Sequence, residues 1–141
     1  MLPETRRLSN HEGVLVLSRR IQITAGSVNM EAELTESETA NALWEALPIT
    51  GSANVWGEEI YFSIPLEAPP EASAREEMEV GEIAYWPPGS AFCIFFGRTP
   101  ASVDDAPRAA SAVNPLGRVT GEPKDFLKVR SGEEVRLERA P

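Results

Sequence analysis

The segment Glu82 to Gly97 reads EIAYWPPGSAFCIFFG, two apolar runs on either side of Pro87-Pro88-Gly89. A Pro-Pro pair removes two backbone donors and fixes two φ angles, while Gly89 can take a positive φ, so the chain turns there with little conformational entropy left to lose. The pattern is strand, stiff corner, strand, with Ile83 to Trp86 before the turn and Ala91 to Phe96 after it. Every residue from Ala91 to Phe96 is apolar, as expected of a central strand covered on both faces.

Working toward the amino terminus, Ile60, Phe62 and Ile64 alternate with Glu59, Tyr61 and Ser63, which predicts a strand with two different faces. Glu67 to Glu79 carries Pro69-Pro70 and five glutamates and reads as a solvated spacer, loop or short helix. Upstream, Ile21 and Ile23 alternate with Gln22 and Thr24; after Ala25-Gly26-Ser27 the period resumes with Val28, Met30, Ala32 and Leu34, predicting an antiparallel hairpin with one wet face. Thr35 and Glu38 stand at capping-box spacing, and Ala40, Leu43, Trp44 and Leu47 follow at helical spacing, so a helix is expected over Glu36 to Ala46, ending before Pro48 and packing Trp44 into the core. The first 18 residues are mostly polar and aperiodic and read as an arm, leaving 19–141 as the folded domain; the lone His11 falls in that arm.

Toward the carboxyl terminus, Arg98 to Ser111 reads as an exposed loop, Pro115 to Val119 as a short strand and Lys124 to Val129 as an amphipathic turn. Glu134 to Glu138 reads as a closing strand with its corner at Ser131-Gly132. Together these elements predict an all-β fold, a small closed barrel of about eight strands with one capping α-helix.

Composition narrows the function classes. The chain has 141 residues, one domain by length, with 22 acidic against 13 basic residues and a formal charge of −9. That field repels phosphate backbones and anionic lipid, and the basic clusters lack interleaved aromatics, so no nucleic acid is expected as partner. No apolar stretch has the length of a membrane span, and the amino terminus lacks a signal-peptide layout; no membrane partner and a cytoplasmic location are expected. One cysteine and one histidine allow neither an internal disulfide nor a structural zinc set, so no metal and no cofactor are expected.

The candidate site residues are aromatic and acidic. Trp56, Tyr61, Tyr85 and Trp86 join an apolar body to a polar tip, as the walls of a half-wet pocket require, with Cys93 and Phe95 on the adjoining strand. The same residues could instead seal the barrel, with their polar tips satisfied on backbone groups. Glu58 and Glu59 are neighbours on a strand and point to opposite faces, so they cannot flank one bond; Glu59, on the face of Tyr61, is the candidate general base. Cys93 lies in an apolar run that raises rather than lowers a thiol pKa. Arg98 is placed to hold an anion at the barrel rim, and Asn114 to close a loop by side-chain bonding.

Several strings carry a resemblance. IQITAGSVNMEAEL running into SETANALWEALP resembles the opening hairpin and plugging helix of cyclophilins, and GSAFCI and LGRV resemble two of their later segments. WGEEIYFSIP, GEIAYWPPGSAFCIFFGRTP and NPLGRV together are similar to a prokaryotic family of small cyclophilin-like proteins whose function is not established. The resemblance spans about Arg20 to Arg139 and implies a cyclophilin-like barrel. It does not carry the isomerase machinery: where cyclophilins place an arginine that polarises the prolyl nitrogen, this chain reads NVWGEEIY, Asn54 to Tyr61, and the places of a family glutamine and phenylalanine fall on Ala91 and Cys93.

The expected function is therefore a binding module for a small molecule or peptide, with Trp56, Tyr61, Tyr85, Trp86, Cys93, Phe95 and Arg98 in the ligand site. The alternatives are an enzyme, either a divergent prolyl isomerase or a catalyst using Glu59, and a structural subunit of a homo-oligomer assembled through the amino-terminal arm.

Overall fold

The computed structural model describes residues 6–8, 15–17 and 19–141. The remainder of the expected arm, His11 included, lies outside the described residues. Of the arm, β1 (Arg6–Leu8) pairs antiparallel with β2 (Leu15–Leu17) in a two-stranded sheet of its own. Everything else is built on one ten-stranded antiparallel sheet.

The predicted hairpin is β3 (Arg20–Ala25) and β4 (Val28–Leu34), in register with Ile21 opposite Ala32 and Ile23 opposite Met30. Its period of two buries Ile21, Ile23, Ala25, Val28, Met30, Ala32 and Leu34 on one face. The helix, α1, spans Glu38–Ala46; its N-cap is Ser37, whose Oγ accepts from the Ala40 amide at 3.1 Å, and not Thr35. Ser37 wins because the chain is still extended there, so its hydroxyl meets the free amides of the first turn. Ala40 and Leu43 are fully buried under the helix. Trp44 is only partly buried: its ring lies against the core edge with the guanidinium of Arg139 stacked 4.5 Å from its centroid.

After α1 come β5 (Ile49–Ser52), β6 (Asn54–Val55), β7 (Glu59–Ser63), β8 (Arg75–Glu77), β9 (Glu82–Trp86), β10 (Ala91–Phe95), β11 (Arg108–Val119) and β12 (Glu134–Arg139). The ladder order is β5-β12-β3-β4-β11-β9-β10-β7-β6, with β8 on β11. The expected eight-stranded closed barrel is thus corrected to a longer sheet whose ladder does not close. Its end strands β5 and β6 are consecutive in the chain, separated by buried Ala53, and each spends its backbone bonds on a different neighbour, β12 or β7.

Two further expectations change. The run 98–111 is not a loop throughout, because β11 begins at Arg108 and continues for twelve residues. Its first half pairs with β8; its second half bridges β9 and β4 across a register shift at Gly117, where φ is +151° and any Cβ would strike the Glu33 carbonyl. The segment 67–79 is not a solvated spacer either. Glu71 accepts from the Thr39 amide at 2.8 Å and donates its own amide to Asn114 Oδ1 at 2.9 Å, and Asn114, fully buried, donates to Thr39 Oγ1 and Pro69 O at 3.0 Å each. Asn114 closes this loop as its residue type suggested and ties it to the first turn of α1.

The sheet has an apolar layer on each side. The main core fills one face with Ile60, Phe62, Ile83, Tyr85, Phe92 and Ile94 beneath α1, and Phe126 of the 310 helix Pro123–Lys128 packs against Phe96. On the other face of β7, β10 and β9 a second cluster forms from Ala84, Cys93 and Phe95, covered by Met78, Ala109 and Val113. No helix among the described residues is long and apolar enough to cross a membrane.

Candidate functional site

The second apolar layer does not cover its face completely. At its edge lies a cavity of about 250 Å³ lined by Trp56, Glu59, Tyr61, Trp86, Cys93, Ala110 and Val113. Strand register brings these together. Cys93 in the middle of β10 stands opposite Tyr61 on β7 and Ala84 on β9, while Glu59 lies diagonally from it on β7 and Trp86 diagonally on β9. Because side chains alternate, Glu59, Tyr61, Cys93 and Trp86 share this face, and Ile60, Phe62, Phe92 and Tyr85 belong to the main core.

Each wall has an identifiable support. The Trp86 indole nitrogen donates to Ser111 Oγ at 2.7 Å, which pins the ring toward β11. Gly89 lies so close to that ring that a Cβ would stand 2.7 Å from two of its carbons. The positive φ at the corner belongs to Ser90, at 47°, and the corner itself is a 310 turn over Pro87–Gly89. Gly89 is therefore needed for room beside Trp86, not for a left-handed backbone. Trp56 is placed by its amide bond to Glu59 O at 2.9 Å, where the chain folds back between β6 and β7.

Glu59 is the anomaly. Only 5% exposed, it keeps a carboxyl oxygen, Oε1, with no hydrogen-bond partner among the described residues. Burial pushes its pKa up to about 7, with the neighbouring Cys93 thiol pulling it down by a smaller amount. Burial and the adjacent carboxylate raise the Cys93 thiol well above its ordinary range, which disfavours the thiolate. Glu58 points elsewhere and pairs with Lys124 at 2.8 Å, as strand geometry demands.

Of the eight residues singled out in the sequence, five line this cavity: Trp56, Glu59, Tyr61, Trp86 and Cys93. The other three do not. Tyr85 follows the opposite parity and is buried in the main core, its hydroxyl donating to Leu66 O at 2.6 Å and accepting from the Ala68 amide at 3.2 Å. Phe95 shares the face of Cys93 but is sealed beneath the second cluster. Arg98 is exposed and held by Asp105 at 3.6 Å and the Asp104 carbonyl, away from the cavity. The lining residues missed were Ala110 and Val113, because the alanine-rich start of β11 carries too little apolar contrast to show a period. The cavity lies on the face of the second apolar layer, opposite the main core.

Residues 19–138 match the cyclophilin-like family. The chain belongs to that family. Among solved structures, this cyclophilin-like protein is similar to the solution structure of the hypothetical protein AF2241 from Archaeoglobus fulgidus, with 41% identity and a TM-score of 0.75 over 94% of this chain and 100% of that one. Curated proteins give no match. Among the described residues no arginine, lysine or histidine lines this cyclophilin-like cavity. Its titratable lining groups among the described residues are the Glu59 carboxyl, the Cys93 thiol and the Tyr61 phenol. Among the described residues no cluster of three or more side chains could ligate a metal ion.

Proposed function

We infer that this cyclophilin-like protein is a binding module for a small molecule or a peptide side chain, and that the cavity walled by Trp56, Tyr61 and Trp86 is its site. The observation that carries this reading is the hollow itself: about 250 Å³ of space bordered by aromatic rings, with an unpartnered carboxyl oxygen on a lining residue. A dry apolar cavity of roughly 150 Å³ already accommodates benzene, so the volume suits a small ring with a polar substituent. Aromatic walls with one placed polar group are the usual make-up of a small-molecule site.

The test is a thermal-shift screen of small aromatic and heterocyclic compounds, run in parallel on Ala110→Trp. Ala110 is an exposed lining residue, so the substitution plugs the opening without disturbing the core. A ligand at a hundred times its Kd adds about 2.7 kcal/mol to stability. Hits should raise the Tm of the wild type and not of A110W; hits that raise both equally, or none at all, contradict the reading.

One observation favours an enzymatic second reading: a carboxyl with pKa about 7 is suited to general acid-base work. Turnover abolished by Glu59→Gln with ligand binding retained would establish it. A homo-oligomeric assembly role does not account for the hollow.

A further inference from the structure

We propose that the ligand of this cavity is an organic cation, a protonated amine whose charge meets Glu59 and whose body lies among Trp56, Tyr61 and Trp86. This rests on the binding reading above and names its ligand class. The first ground is the unsatisfied carboxyl. A buried carboxylate is ordinarily paired or bonded, yet Glu59 is 5% exposed and its Oε1 has no partner. Among the described residues no arginine, lysine or histidine lines the cavity, so they offer this acid no counter-ion there.

The second ground is the walls. Tryptophan and tyrosine faces attract cations through their quadrupoles, tryptophan most strongly. Three such rings and one acid around a single cavity offer a cation two kinds of attraction and offer an anion neither. A metal ion fits less well: among the described residues the lining offers one carboxyl, one thiol and one phenol, too few ligands for a metal, and the rest is indole and aliphatic surface. The formal charge of −9 also enriches cations around the molecule.

The pH dependence follows from the groups facing Glu59. Cys93 faces it from β10 and Tyr61 lies two residues along its own strand, while β9 and β11 present Trp86, Ala110 and Val113, which do not titrate in this range. Without ligand Glu59 is half-protonated near pH 7; binding a cation favours the ionised form, so protons must leave as the amine enters.

The experiment is isothermal titration with 2-phenylethylammonium and its neutral analogue 2-phenylethanol, at pH 8.5 and pH 5.5, on wild type, Glu59→Gln and Trp56→Leu. The wild type should bind the amine at least tenfold tighter than the alcohol at pH 8.5, and the amine alone should lose more than tenfold at pH 5.5. E59Q should bind both compounds alike at either pH, and W56L should weaken the amine more than the alcohol. Equal binding of amine and alcohol to the wild type overturns the cation assignment and leaves the binding reading standing. Binding of neither also overturns it, and the compound screen on wild type and A110W then decides the binding reading separately.

Discussion

Glu59 shows what a single buried acid does to the energetics of a small sheet protein. Its folded pKa of about 7 lies above the ordinary 4.5, so between those values the unfolded chain ionises while the folded one keeps its proton. The folded state then binds more protons, and stability must fall as pH rises through that window, levelling above it. The displacement corresponds to about 3 kcal/mol. Urea unfolding of Glu59→Gln should therefore match the wild type near pH 4.5 and exceed it by about that amount at pH 8, with the wild type's slope between removed; a parallel slope in both proteins would locate the effect elsewhere. A residue that lowers stability at neutral pH is retained more readily for what it contacts than for how it packs. Cys93 follows from the same environment: with its thiol raised by burial and by the neighbouring carboxylate, it should resist thiol reagents at neutral pH in the folded protein and react once urea is added.

At the scale of elements, the cavity depends on which segments cover the outer face of β7, β10 and β9. The hairpin β3–β4, the strands around the Pro-Pro-Gly corner and the alternation of β7 were legible because their apolar residues are large and recur at a period of two. That alternation also assigned Glu59 and Tyr61 correctly to one face. It separates Tyr85 from Trp86 by the same rule, and the rule decides between the main core and the cavity. The covering layer was not legible. β8 is charged and exposed, and β11 opens with alanines, so neither carries an apolar signal; their pairing depends on contacts such as Arg108 with Glu76 at 2.5 Å and the Met78 amide with Pro107 O at 2.9 Å. The segment 67–79 reads as a solvated spacer for the same reason, although Glu71 and Asn114 lock its start to α1. Asn114→Ala would leave the Glu71 amide, Thr39 Oγ1 and Pro69 O short of a partner inside the fold. It should cost about 3 kcal/mol in urea unfolding, and a loss under 0.5 kcal/mol would mean that solvent reaches this junction.

For the whole molecule, belonging to the cyclophilin-like family fixes the frame on which side chains are displayed and leaves the chemistry to the side chains themselves. Here the frame supports a filled core on one face and, on the other, a second apolar layer that reaches Tyr61 and Trp86 and leaves a cavity beside them. The acidic surface and the carboxyl in the hollow have the same sign, and both favour a positively charged guest. The most direct test is an amide and indole NMR titration of the uniformly ¹⁵N-labelled protein with a compound that raises its Tm. The account predicts saturable shifts confined to Trp56, Glu59, Tyr61, Trp86, Cys93, Ala110 and Val113 and their strand neighbours, including the Trp86 indole N–H bonded to Ser111. Saturable shifts clustered elsewhere, with the Trp56 and Trp86 indole signals unmoved, would contradict it.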